Sequence, residues 1–215
     1  MNKSIKQKLE LTIKDSHKAF QEIPNKNRIL TEIFDKLEAF DFEKYKLKAE
    51  AEIKKNLKEW WTNPDKGIKE EIALQTILFE YDGTWWTDKE AMAYGIWKWE
   101  DFELSDEGVD MGYNYEFAGE FEAMPGITLD YFNCFAVLDD DEKVKEEYDA
   151  EDYWDLDGYD ELTMYAEAKG SLILHEVFVN LHAQNALSVL NIEEEFMIIF
   201  GEHDMGETSL FVITK

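Results

Sequence analysis

Apolar residues in the first third of the chain recur every three or four positions. Ile5, Leu9, Ile13, His17 and Phe20 stack on one helical face, and Pro24 ends the run. A second helix is predicted to open near Asn25 or Asn27, with Ile29, Leu30, Ile33, Phe34, Leu37 and Phe40 as its apolar set. A third is predicted from about Asp41 to Trp61, with Tyr45, Ala49, Ile53, Leu57 and Trp60 on one stripe. Its other face carries Glu50 ahead of Lys54 in the favourable i,i+4 order, so much of the lysine here reads as solvated helix surface. Asn63, Pro64, Asp65, Lys66 and Gly67 form a strong turn signal.

Beyond that turn the period changes to two. Ala73, Gln75, Ile77, Phe79 and Tyr81 alternate with Leu74, Thr76, Leu78 and Glu80, and Asp82-Gly83 has the composition of a hairpin turn leading to Trp85 and Trp86. Thr87 with Glu90 matches a capping box, which predicts a short helix over 88–94 before Ile96, Trp97 and Trp99. Met111 to Phe121 is the clearest strand, apolar or Gly at every second position and acidic on the other face, as an antiparallel sheet with one wet side allows. Pro125-Gly126 turns the chain into Ile127–Leu138, read as a central strand because its second half is apolar throughout. From Tyr159 a helix is predicted to run to about Leu190, with a break or kink at Gly170. Two β-rich runs, Glu195–Glu202 and Glu207–Thr214, close the chain as a hairpin around His203–Gly206. The fold class expected is therefore α+β: an N-terminal helical segment, a mainly antiparallel sheet, a long C-terminal helix and a closing β-hairpin. The expected organisation is a helical segment over 1–66 and an acidic α+β domain over 67–215, separate or as one continuous globular unit.

Charge changes the picture at the same boundary. Residues 1–66 carry 15 Lys/Arg against 12 Asp/Glu, whereas residues 67–215 carry 7 against 37, so nearly all of the net charge of −27 lies beyond the helical segment. Concentrated like charge raises self-repulsion in the compact state, which points to use of the field, most simply to attract a cationic partner. Halophilic adaptation would not spare one third of the sequence. Of the 22 basic residues only Arg28 is an arginine, so bidentate phosphate clamps are nearly unavailable, and seven basic residues after position 66 argue against direct nucleic-acid binding. Length (215 residues) and a 45 % apolar composition suffice for a real core. Met1–Lys8 is polar with no leader-like apolar stretch behind it, and no run approaches the roughly 18 apolar residues of a membrane span. A single thiol, Cys134, is consistent with a reducing compartment, so a cytoplasmic protein is expected, without membrane association.

Candidate chemistry is sparse. If Gly158 takes the sixth position of a calcium loop, Asp155, Asp157 and Glu161 fall on ligand positions, but Tyr153 and Met164 stand where the first ligand and the bidentate Glu belong. His175 and His182 lie seven residues apart, whereas zinc on one helix prefers i and i+4. No nucleophile elbow, P-loop or dinucleotide fingerprint occurs, and Cys134 sits in an apolar run as a buried thiol does. No catalytic residue, metal ligand or cofactor is assigned. Trp85-Trp86 and Trp97/Trp99 have the flat rings that stack on sugars, although tryptophan alternating along a strand is ordinary core.

The most distinctive stretch is Asp139–Glu161, with 13 acids and 2 lysines interleaved with aromatic rings. Its residues Asp139, Asp140, Asp141, Glu142, Glu146, Glu147, Asp149, Glu151, Asp152, Tyr153, Trp154, Asp155, Asp157 and Tyr159 are the candidate partner-binding set: carboxylates steer, and Trp154 with nearby tyrosines anchors. The expected function is a non-enzymatic acidic protein that captures a basic protein, similar in general character to bacterial toxin-neutralising (immunity) proteins, or a nucleic-acid mimic whose rows of carboxylates occupy a basic groove. The alternatives are a hydrolase with a carboxylate and His175, His182 or His203, and a cation- or sugar-binding accessory module.

Overall fold

The computed structural model describes residues 1–63, 73–83, 89–99, 101–110, 115–117 (backbone alone), 124–139 and 152–214. Three helices come first, α1 (Asn2–Glu22), α2 (Arg28–Glu38) and α3 (Phe42–Asn56). The N-caps are local in origin: Asn27 Oδ1 accepts from the Ile29 N–H at 3.0 Å and Asp41 Oδ1 from the Lys44 N–H at 3.0 Å, each worth about 1 kcal/mol. A π-helical turn, Leu57–Trp61, extends α3.

Seven strands form one sheet among the described residues: β1 (Leu74–Tyr81), β2 (Glu90–Trp99), β3 (Gly108–Val109), β4 (Tyr115–Phe117), β5 (Met124–Thr128), β6 (Ile192–Glu202) and β7 (Glu207–Thr214). Their order is β3-β7-β6-β1-β2-β4, with β5 also pairing β2. Every pairing is antiparallel except β1 with β6, which are parallel and register Tyr81 against Glu202. A parallel pair needs a long crossover. It contains helix α4 (Tyr159–Ala183), which spans 25 residues.

Alternation along the strands divides the apolar side chains between two faces. Ile77, Phe79, Phe196, Ile198 and Phe200 face the main core with Leu30 of α2, Ile53 of α3 and Leu174 and Phe178 of α4. Leu78, Met197 and Ile199 face a smaller cluster with Ile5 and Leu9 of α1, Ile96 and Trp99. Helices before residue 64 and the sheet thus share apolar cores. The edges are tied down by side chains. Asn2 mimics a neighbouring strand for β7, donating to the Val212 carbonyl at 2.8 Å and accepting from its N–H at 2.9 Å. On β5, Asn56 and Trp61 donate to the carbonyls of Gly126 and Pro125 at 2.6 and 2.9 Å, while Glu52 accepts from the Thr128 N–H and hydroxyl at 3.0 and 2.7 Å. An exposed edge is an aggregation liability, and these amides and carboxylates satisfy it.

Several details differ from the sequence reading. Residues 90–94 open strand β2 rather than closing a short helix: pairing to β1 and β5 together overrides the capping-box pattern. The segment after β5 is not a central strand but a 3₁₀ helix, Asp130–Asp139. Tyr131, Phe132, Phe135 and Leu138 are the buried positions there, a spacing of three and four that a continuous apolar run conceals. Helix α4 continues through Gly170. A Cβ at that position would lie 2.1 Å from Cζ of Tyr131, so the glycine admits a ring from the 3₁₀ helix instead of interrupting α4. Of the predicted strand over 111–121, the described part is β4. Trp99 is buried and Trp97 is 40 % exposed, and Trp85 and Trp86 lie outside the described residues.

Candidate functional site

Helix α4 begins at Gly158, whose φ of +100° suits glycine, and a Cβ there would meet Ile23 at 2.8 Å, at the end of α1. The residues that invited a calcium reading therefore form a turn docked on α1. From this start, Leu162 and Ala166 enter the core, while Thr163, Glu167 and Ser171 follow one another at four-residue spacing along a second stripe. That stripe lines a groove of about 910 Å³. Its other walls include Ile5, Leu9 and Thr12 of α1, the rings of Tyr153, Trp154 and Tyr159, Met205 and Gly206 of the β6–β7 turn, and the ion pair of Lys8 with Glu107 at 2.6 Å. Glu202 closes it at the C-terminal end of the parallel β1/β6 pair, the end at which ligand sites of parallel strands are usually built.

The electrostatics of this groove set it apart. The buried Tyr81 hydroxyl donates to Glu167 Oε2 at 2.8 Å. Burial pushes the Glu167 carboxyl up to about 7; the Tyr81 hydrogen bond pulls it down and the neighbouring Glu202 pushes it further up. Burial also raises Glu202. Neither pairs with a lysine, arginine or histidine among the described residues. Ser171, one turn beyond Glu167, has a fully buried hydroxyl that meets no hydrogen-bonding partner there. Elsewhere the fold treats carboxylates nearer the surface differently. Glu176 holds Lys6 at 2.8 Å and also Lys46, Glu38 holds Lys169 at 2.8 Å and the Tyr165 hydroxyl at 2.6 Å, and Glu50 holds Lys54 at 2.6 Å and Asn180 at 2.7 Å. In Glu176 and Glu38 burial is the largest single influence and acts upward, but the hydrogen bonds together outweigh it and both carboxyls lie below their ordinary value. In Glu50 the Lys54 bond leads, and the result is the same.

The predicted partner-binding residues fall into three groups. Asp140, Asp141, Glu142, Glu146, Glu147, Asp149 and Glu151 lie outside the described residues, and Asp139 ends the 3₁₀ helix. Tyr153, Trp154 and Tyr159 come together as an aromatic cluster, with Tyr153 4.7 Å from Trp154 and 5.2 Å from Tyr159 between ring centroids, and all three line the groove. Tyr153 is buried and Trp154 is 55 % exposed. Asp152, Asp155 and Asp157 occupy the same segment, the last two exposed. Sequence reasoning missed Glu167, Glu202, Tyr81 and Ser171. The available signal was the polar stripe Thr163–Glu167–Ser171 in a helix otherwise flanked by apolar residues.

The remaining candidates do not assemble a reactive centre among the described residues. His175 is buried, its Nδ1–H donating to the Leu210 carbonyl at 2.7 Å, and burial lowers its pKa, so it is a neutral structural imidazole. His182 lies against Phe211, and His203 sits on the β6–β7 turn with Nδ1 3.2 Å from Glu80. Each histidine thus has a separate set of partners. Cys134 donates to the Tyr131 carbonyl at 3.1 Å, and burial pushes its thiol up to about 12, which keeps it protonated and inert. No group of three or more His, Cys, Asp or Glu among the described residues is placed to hold a metal ion, and no described helix is long and apolar enough to cross a membrane.

No family model, curated protein or solved structure matches this chain. Function must be argued from the groove and the charge around it.

Proposed function

We propose that this chain is a cytoplasmic, non-enzymatic acidic protein that captures a basic protein partner, immunity-like or nucleic-acid-mimicking in character. The observation that carries the reading is Trp154: a large ring 55 % exposed, braced by Tyr153, in the acidic segment and on the wall of the groove. An exposed tryptophan in a carboxylate-rich segment combines the two ingredients of an electrostatically steered interface, an apolar anchor and a field. The ion pairs of the helices strengthen the case. Lys6, Lys46, Lys48 and Lys54 are engaged with Glu176, Asp130 and Glu50, so part of the lysine-rich segment's charge is paired within the molecule. The chain as a whole keeps a net charge of −27.

The test is capture of proteins from the native host on the immobilised chain at low and high salt, followed by association kinetics with each protein retained. A basic partner should associate several-fold more slowly as salt rises, with a smaller change in dissociation. Replacing Asp152, Asp155 and Asp157 together with Asn should slow association, whereas Trp154→Ala should speed dissociation by about tenfold or more. Retained proteins that are not basic, or a Trp154→Ala variant with unchanged dissociation, would overturn the reading.

A further inference from the structure

We propose that the groove between α1, α4 and the β6–β7 turn is the receptor for one cationic side chain of that partner, a lysine ammonium or an arginine guanidinium, held between Glu167, Glu202 and the Tyr153/Trp154/Tyr159 rings. The inference rests on the preceding reading for its partner class and on separate residues for its site.

Three observations converge on the same cavity. Glu167 and Glu202 are carboxylates withdrawn from water without a cation, in a molecule that gives Glu38, Glu50 and Glu176 one or two lysines each. Burying a charge unpaired is costly, and the cost is recovered when a cation arrives. Second, the Ser171 hydroxyl is buried in the groove wall without a hydrogen-bonding partner among the described residues, one helical turn from Glu167. An ammonium or guanidinium carries several N–H donors and can satisfy that oxygen together with a carboxylate. Third, the aromatic cluster forms one wall, and ring faces attract cations. Between the polar groups, Leu9, Met164 and Ala168 offer apolar surface to the methylene stem of a long side chain. Volume agrees: about 910 Å³ is room for a side chain together with the backbone that presents it. An anion is repelled by the same carboxylates, and a neutral apolar ligand would leave them buried and unpaired.

Among the described residues the groups facing Glu167 are Tyr81 on β1, Tyr131 on the 3₁₀ helix and Glu202 on β6, while Lys8 of α1, on the wall of the same groove, is engaged with Glu107 at 2.6 Å. Binding is consequently tied to ionisation. Occupation by a cation lowers the Glu167 pKa from about 7, and affinity falls as pH drops below that value.

The experiment is an NMR titration of the isotope-labelled full chain with three blocked tripeptides, Gly-Lys-Gly, Gly-Arg-Gly and Gly-citrulline-Gly, and separately with spermidine. Saturable shifts of the Ala168, Ser171 and Gly206 amides are expected with the lysine or arginine peptide and none with the citrulline peptide. The Glu167 carboxyl should titrate about one unit or more lower in the saturated complex, and Glu167→Gln should weaken binding about tenfold. The carboxyl titration is read in the unmodified protein, so it decides the matter even should Glu167→Gln fail to fold. Shifts spread over the acidic surface with the Glu167 carboxyl unmoved would overturn the proposal. Spermidine binding more tightly than either cationic peptide would overturn the assignment to a polypeptide side chain. The two readings separate in the partner assay. A partner released faster by Trp154→Ala but indifferent to Glu167→Gln and Glu202→Gln removes the groove and leaves capture standing, whereas groove binding of the peptides without any basic partner does the reverse.

Discussion

The two halves of α4 carry the same kind of residue to opposite ends. In the C-terminal half, Glu176 is clasped by Lys6 of α1 and Lys46 of α3, and Asn180 and Gln184 bond Glu50 of α3. In the N-terminal half, Glu167 is more deeply withdrawn from bulk water and, among the described residues, meets a tyrosine hydroxyl with another carboxylate nearby. One carboxyl titrates below its ordinary value and the other near neutrality, nine residues apart on one helix. The first arrangement holds helices together. The second opposes folding at neutral pH, as the proposed cation receptor requires.

Gly170 stands between the two halves, and the largest expected effect belongs to it. Alanine there would gain about 1 kcal/mol of helix propensity, yet its Cβ would fall 2.1 Å from Tyr131, whose ring is fixed among Tyr45, Phe42 and Phe132. Gly170→Ala should therefore destabilise by about 3 kcal/mol, as overpacking does. In a Tyr131→Ala background the same change should be neutral or stabilising, a sign reversal that urea unfolding of the four proteins in the cycle would reveal. Equal cost in both backgrounds would mean that the ring does not set the spacing of α4 from the 3₁₀ helix.

Glu167→Gln and Glu176→Gln give the direct contrast, with opposite signs. Because the Glu167 pKa is raised in the folded state, the folded protein holds an extra proton between the unfolded value of about 4.3 and its own of about 7, so stability falls as pH rises through that window. Removing the ionisable group should stabilise the protein by about 1–2 kcal/mol above pH 7 and change little near pH 4. Glu176 has the depressed pKa: its contribution is present above the unfolded value and is lost as pH falls through the folded one. Glu176→Gln should cost about 1 kcal/mol at neutral pH, modest because the pair is partly solvated, and progressively less in acid. Denaturant unfolding at three pH values measures both. Parallel pH profiles for the two variants would erase the distinction between the halves.

Much of this was legible in sequence, and what was not has a physical reason. Helical periodicity located α1, α2 and α3 because each has one buried face, whereas β1 and the closing hairpin, buried on both faces, were legible as short β-rich runs bounded by turn residues. The 3₁₀ segment was hidden because Tyr131–Leu138 is apolar at almost every position, and such a run carries no period to read. Strand β2 was obscured by Ala91, Met92 and Ala93, which favour a helix until β1 and β5 supply partners on both sides. Tyr153, Trp154 and Tyr159 stand out in an acidic stretch, but nothing in the sequence placed them on the wall of a groove. Glu167 was not anticipated, because among 49 acids nothing in the sequence marks it, and what sets it apart is burial beside Tyr81 and Glu202 in three dimensions. The fold also bridges the segregated charge, as Lys6 of α1 and Lys46 of α3 reach Glu176 of α4 and Lys48 reaches Asp130.

The same contrast recurs on a smaller scale where the parallel strands end. Glu80 of β1 and Glu202 of β6 are near neighbours in register, but Glu80 meets His203 at 3.2 Å while Glu202 opens into the groove. The Glu80 hydrogen bond is the largest influence on His203 and raises its pKa, with Asp204 adding to it. For a histidine so raised, the stabilising contribution is complete below the unfolded value of about 6.5 and disappears as pH rises through the folded one. His203 is 56 % exposed, so solvent screens the pair and the effect is a few tenths of a kcal/mol at most. His203→Gln should therefore lower the melting temperature by about 1 °C in mild acid and leave it unchanged in mild alkali. Glu202→Gln should do the reverse, raising it in alkali, where its buried carboxylate is charged and unpaired, and leaving it unchanged in acid. Should both variants shift the melting temperature in the same direction across the pH range, the strand ends would be a single acidic patch. The separation into a paired surface and a waiting site would then rest on α4 alone.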